Sequence, residues 1–148
     1  MNYWVFVVVD HAIGKSKVMA EDVLRSRVKK KFWLLSDRSP HLRDIKEGDR
    51  VLFYVGGRKG KKFQGCATVD KAPRPLSEEQ RRVMIDDYGG RHVYIVEFRD
   101  VKFWKDERRI EDYLGLLSFI KKPKNWWAYL QRGVIKIDKG DYELIKGR

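Results

Sequence analysis

The run Tyr3-Trp4-Val5-Phe6-Val7-Val8-Val9 is aromatic or β-branched at every position, and it most constrains the fold. A strand of this kind has no face to turn toward water, so it must lie inside a sheet covered on both sides. It is too short to cross a bilayer as a helix, which takes about 20 apolar residues. It carries neither a basic leader nor a small-residue cleavage site, so it is not read as a signal peptide, and a cytoplasmic location is expected. With 148 residues, one domain spanning 1–148 is expected.

Further along, Ala20 to Val28 places Val23, Leu24 and Val28 at helical spacing, and Lys31 to Leu35 reads as a strand. Asp10 to Lys17 reads as a loop, and Leu42 with Ile45 suits a single helical turn. Val51 to Val55 is a strong strand, joined through the Gly56–Gly60 tip to Phe63–Val69, and Pro73 and Pro75 end that strand. Gly65 within it points to a bulge or a close backbone approach. Ser77-Glu78-Glu79-Gln80 has the form of a capping box opening a helix to about Tyr88. Val93 to Phe103 reads as a long alternating strand, and short helical pieces are expected near Ile110–Tyr113, Trp126–Gln131 and Asp141–Lys146. The pattern is α+β: a small mixed β-barrel of five to six strands surrounded by short helices, since a free sheet would leave hydrophobic edges.

Charge speaks to partners. Lys and Arg number 33 against 21 Asp and Glu, a formal net charge of +12. The excess is spread along the chain, with concentrations at Arg25–Lys31, Arg58–Lys62 and Lys121–Lys124. A polyanion, nucleic acid first, is the natural partner, because each phosphate neutralised releases condensed counterions. The competing explanation is a surface dense in Lys, Arg and Glu of the thermophile kind, which accounts for many charges but not for their imbalance.

No catalytic signature emerges. Cys66 stands alone, which excludes an internal disulfide, and its place in a strand favours packing over nucleophilic work. His11, His41 and His92 lack metal-ligand spacing, so neither metal nor cofactor is expected. Gly57-Arg58-Lys59-Gly60-Lys61-Lys62 lies between strands and lacks the ending of a phosphate loop. The aromatics say more. Trp33 directly follows Lys29-Lys30-Lys31, and Trp126-Trp127 follow Lys121-Lys122-Pro123-Lys124-Asn125. Cations beside flat rings are what single-stranded or flipped-base binding uses. A barrel core also needs large rings, and Trp4 with one of Trp126 and Trp127 are the expected core members.

Three segments occur in an order that resembles EVE-domain proteins, members of the PUA-like superfamily that also holds YTH modules. They are Asn2-Tyr3-Trp4-Val5, the stretch Ile45-Lys46-Glu47-Gly48-Asp49-Arg50-Val51-Leu52-Phe53-Tyr54, and Phe119 to Trp126 followed by Asp141-Tyr142-Glu143-Leu144-Ile145. Phe63-Gln64-Gly65 with Cys66-Ala67 is similar to a YTH strand. The resemblance implies a PUA-like barrel with a pocket at its mouth that accepts a modified base. By its place after the first helix, Trp33 is implied as a stacking wall, with Ser36 beside it as a donor to base edges. Phe119, Lys121 and Trp126 are implied as wall or rim. The second YTH cage tryptophan has no counterpart, because Asp70 to Arg91 offers only Tyr88; the ligand class therefore stays open.

The expectation is a non-enzymatic binder of DNA or RNA that reads a modified or flipped base. Trp33, Ser36, Tyr54, Phe119 and Trp126 would form the pocket, and Lys29, Lys30, Lys61, Lys62, Lys121 and Lys122 would hold phosphates. The alternatives are an enzyme acting on RNA or nucleotides, with Asp37, His41 or Glu97 as the titratable group, or a small-molecule-binding module.

Overall fold

The computed structural model describes residues 1–13, 16–84 and 92–147. Its main sheet has six strands in the order β4-β7-β6-β5-β1-β8. These are β1 (Tyr3–Val8), β4 (Phe32–Ser36), β5 (Arg50–Val55), β6 (Lys62–Pro75), β7 (His92–Arg109) and β8 (Val134–Ile137). Strands β1 and β5 run parallel, with Val5 opposite Leu52 and Phe6 opposite Phe53, and every other pairing in this sheet is antiparallel. The sheet curls into a half-barrel whose hydrogen-bonded edges are β4 and β8. Helices α1 (Ala20–Lys30), α2 (Glu78–Met84), α3 (Trp126–Tyr129) and α4 (Lys139–Lys146) surround it.

Double burial of β1 is realised by strand alternation. Trp4, Phe6 and Val8 join Val51, Phe53 and Val55 in a core shared with Val23 and Leu24 of α1. Val5, Leu52 and Tyr54 point the other way, into a core with Phe63, Ile120, Tyr142 and Ile145. Helix α1 begins where the Asp10 carboxylate accepts from the Ala20 N–H at 2.9 Å. It stops at Lys31 in the left-handed conformation, φ 59°.

The Lys46–Arg50 turn is held from within. Asp49, only 2% exposed, accepts from Trp4 Nε1 at 2.9 Å, the Asn2 N–H at 3.0 Å and the Lys46 N–H at 2.9 Å. One buried carboxylate thus ties β1 to the turn that launches β5, and the charge is tolerated because all three contacts are charge-assisted. The far layer has its own staple. Asp141 accepts from the Ser118 N–H at 2.9 Å, the Ser118 hydroxyl at 2.8 Å and the Phe119 N–H at 3.1 Å. Asp138 caps α4 through the Asp141 N–H at 2.7 Å, and that bond, with the Ser118 hydroxyl proton it shares with Asp141, holds its carboxyl below the usual range.

Several boundaries depart from expectation. His11–Ile13 and Ser16–Val18 pair as a short hairpin, β2–β3, where a loop is expected. Strand β6 runs through Pro73 to Pro75, because register shifts between Lys71 and Arg74 let the prolines sit at an irregularity of the ladder. Strand β7 continues to Arg109, and β8 is a further strand. Val134-Ile135-Lys136-Ile137 is too short for its period to register as a strand against the helical pieces around it. The Ser77 capping box forms in both directions, at 2.9 and 3.1 Å, and Tyr88 lies outside the described residues. At Gly65 a Cβ would strike the Lys102 carbonyl oxygen, the close approach expected there.

Candidate functional site

The edges of the half-barrel are β4 and β8, and β8 pairs with β1 only over Tyr3–Phe6, so a seam remains between β4 and the end of β1. A cavity of about 190 Å³ opens along it. Val7, Val8 and Val9 border it from the end of β1, Trp33 from β4, Arg27 from α1, and residues 131–133 from the turn before β8. Its volume is about that of six waters in the liquid, enough for a single planar ring system rather than a chain segment.

Trp33 is only 2% exposed. Phe53 stacks parallel to it, with centroids 5.2 Å apart, and Phe6 and Phe98 meet it edge-on at 5.7 and 6.4 Å. The Arg27 guanidinium sits 4.2 Å from the centre of the Trp33 ring, and this arginine is 4% exposed. A desolvated cation over an indole is worth about 2 kcal/mol, so the two side chains act as one wall of the cavity.

The other expected pocket residues fall elsewhere. Tyr54 is on the opposite face of β5, with its ring against Phe63 at 5.1 Å, and burial pushes its hydroxyl far above the ordinary range. Phe119 and Trp126 pack on that same far core. The Ser36 hydroxyl accepts from the Arg38 N–H at 3.0 Å and donates to Asp37 at 3.3 Å; it is used in its own turn, and Ser39 borders the cavity in its place. Trp4 is fully buried, as expected for a core residue, Trp126 is half-buried, and Trp127 is 52% exposed.

Of the six expected phosphate lysines, Lys29, Lys30, Lys61, Lys121 and Lys122 are exposed. Lys62 is buried, with its ammonium 3.0 Å from Glu107 and 3.6 Å from Glu21, so it is withdrawn from the set. The clusters do not converge. Lys29 and Lys30 end α1, whereas the Lys62–Glu21 contact lies at its start, about 15 Å away along an 11-residue helix. Lys121 and Lys122 flank Phe119 on the far layer.

Arg27 is the residue sequence reasoning missed. It shares the inward stripe of α1 with Ala20, Val23 and Leu24, and an arginine at an apolar helix position was the signal available. None of Asp37, His41 or Glu97 borders the seam cavity. Asp37 is exposed, His41 lies 3.3 Å from Asp44, and Glu97 pairs with Arg74 at 2.6 Å. Among the described residues no group of three or more His, Cys, Asp or Glu could hold a metal ion, and no helix is long and apolar enough to cross a membrane.

A curled six-stranded half-barrel with short helices on both sides is the PUA-like fold. The EVE domain model matches residues 2–147, and the chain belongs to that family. Among solved structures it is similar to human THYN1 in complex with 5-methylcytosine-containing DNA (TM-score 0.66, 14% identity, 98% of this chain and 95% of that one). It is also similar to the N-terminal domain of McrB from Staphylothermus marinus (TM-score 0.62, 13% identity, 99% and 93% covered) and to a hypothetical protein from Leishmania major (TM-score 0.66, 14% identity, 99% and 92% covered). At these identities the likeness is one of fold. No curated protein sequence matches the chain.

Proposed function

We propose that this EVE-domain protein is a binding module for nucleic acid that receives one extruded, modified base in the seam between β1 and β4. The observation that carries this reading is the Trp33–Arg27 wall of a cavity sized for one ring system. Extruding a base costs a few kcal/mol, least for an unpaired or damaged one, and stacking on an aromatic wall returns about 1–3 kcal/mol. The Arg27 guanidinium adds a buried cation to the Trp33 wall, which favours an electron-rich ring beside it. Of the lysines, Lys29 and Lys30, two and three residues beyond Arg27 on α1, are assigned as phosphate contacts beside the seam, with Lys61, Lys121 and Lys122 as outlying ones. The net charge of +12 supports a polyanionic partner, as does the DNA in the human THYN1 complex.

The test is binding of matched DNA and RNA oligonucleotides, plain and methylated, at two salt concentrations, by wild type and by Trp33→Phe. Phenylalanine keeps the core filled, whereas alanine would cost about 3–5 kcal/mol of stability and confuse the readout. Trp33→Phe is expected to lower the preference for the methylated target about tenfold, from weakened stacking, and Trp126→Ala to leave that preference intact. Equal losses on plain and methylated targets in Trp33→Phe would contradict the seam as the base site.

A further inference from the structure

A second cavity, of about 460 Å³, lies beside the seam and is bordered by His41, Phe119, Tyr129, Arg132, Ile135 and Lys136, among others. Arg132 borders both cavities, so the two adjoin along the stretch that leads into β8. We propose that this second cavity is a subsite for the nucleotide next to the extruded one on the same strand, taking its base against the rings and its phosphate between Arg132 and Lys136. The inference rests on the seam being the base site.

Its chemistry is what such a neighbour requires. Two exposed cations face two aromatic side chains, and no carboxylate borders the cavity. Neither Arg132 nor Lys136 has an ion-pair partner among the described residues. A nucleotide offers both an anion and a flat ring, and single-strand binders meet these with a basic groove and a stacking platform. A third cavity, bordered by Tyr3, Arg50 and Tyr142, shows the contrast. It is larger, about 690 Å³, but Glu143 borders it and its Arg50 already donates to the Thr68 hydroxyl at 2.8 Å.

His41 shows that the rim is built rather than incidental. It adopts φ 65°, a left-handed conformation uncommon for a side chain with a Cβ. Its carbonyl accepts from the Asp44 and Ile45 N–H groups at 2.9 and 3.2 Å, and its ring lies 5.1 Å from that of Trp4. Trp4 is in turn bonded to Asp49. The Asp49 staple that anchors β1 therefore also sets the ring at the cavity rim.

The experiment uses the full chain and short single-stranded oligonucleotides carrying one methylated base, in whichever backbone binds. The phosphate on one side of that base is replaced by a neutral methylphosphonate, or the neighbouring base by an abasic site, and then the same on the other side. Loss of about tenfold from both changes on one side only is expected, with little effect on the other side. In Lys136→Ala the methylphosphonate is expected to cost less than it does in wild type, because only Arg132 remains on the phosphate, and in Tyr129→Ala the abasic neighbour is likewise expected to cost less, while both variants keep the preference for the methylated base. Equal effects on the two sides, or a one-sided loss that persists undiminished in both variants, would overturn the subsite. Loss of the methyl preference in wild type would instead overturn the seam reading itself, so the two failures are distinct. Failure of every oligonucleotide to bind would overturn both.

Discussion

On the α1 side of the sheet, Phe6, Trp33, Phe53 and Phe98 pack ring on ring and leave a cavity at the seam, with Arg27 as its polar wall. On the far side, Val5, Leu52, Tyr54 and Phe63 are covered by residues 110–130 and by Tyr142 and Ile145 of α4. Both faces use a buried carboxylate as a staple, Asp49 on the first and Asp141 on the second. They differ in what closes them. One helix crosses the first face, and the gap between β4 and β1 is not bridged by hydrogen bonds, so a ring-sized space persists there. The C-terminal third covers the second face, where Arg108 donates from Nη1 to the last carbonyls of α4 at 2.7 and 2.5 Å and lies 3.6 Å over Trp104. Capture of the extruded base is accordingly assigned to the face whose packing is interrupted.

The largest expected effect tests whether the two staples are equivalent. Asp49→Ala strands the Trp4 indole N–H and two backbone N–H groups, and it should cost about 3 kcal/mol or more in urea unfolding. Asp141→Ala strands the Ser118 and Phe119 donors and should cost about as much. Base discrimination should survive Asp141→Ala under conditions where the protein stays folded. If Asp141→Ala abolished that discrimination, the separation of the faces would be wrong.

How far this division can be read from the residues depends on the strand. The double burial of β1 is plain because every position from Tyr3 to Val9 is apolar, and the Ser77–Gln80 box is plain because it is local. The same apolar continuity hides orientation in β5. Val51-Leu52-Phe53-Tyr54-Val55 has no polar alternation to mark its faces, so Tyr54 looks as good a partner for Trp33 as Phe53 does. Pairing of β1 with β5 decides it, placing Phe53 on the Trp33 face and Tyr54 on the other. Lys62 fails for a related reason: its sequence neighbours are a solvated hairpin tip, and only the fold brings Glu21 and Glu107 to it.

Lysines supply a contrast of intermediate size. Lys62→Met removes an ammonium held by two carboxylates and should lower stability by about 1–2 kcal/mol, with the salt dependence of nucleic-acid binding unchanged. Lys29→Ala and Lys30→Ala should leave stability within about 0.5 kcal/mol and each reduce the salt slope by about one phosphate contact. Denaturation paired with binding at several salt concentrations reads both. A salt slope that falls in Lys62→Met as it does in Lys30→Ala would put Lys62 back among the phosphate contacts.

The smallest effect is in alkali, and it belongs to the far face. Tyr54, Cys66 and Tyr142 all lie there, and burial pushes each upward, Tyr142 to about 12 from an ordinary 10.0. For Cys66 the rise is opposed by Lys146, Lys102, Arg108 and Arg50. Folded, these groups keep protons that the unfolded chain releases, so above the unfolded values the unfolded state binds fewer protons and stability falls with pH. The urea midpoint should therefore stay level below the ordinary thiol value of 9.0 and decline above it. The Tyr142 share should be lost between 10.0 and about 12. Tyr142→Phe should flatten the upper part of the decline, while Trp33→Phe, in the other core cluster, should leave the shape unchanged. A midpoint level through this range, or a decline unaltered by Tyr142→Phe, would mean that the far layer opens enough in the native state to hydrate these rings. The contrast between a sealed face and an interrupted one would then fail.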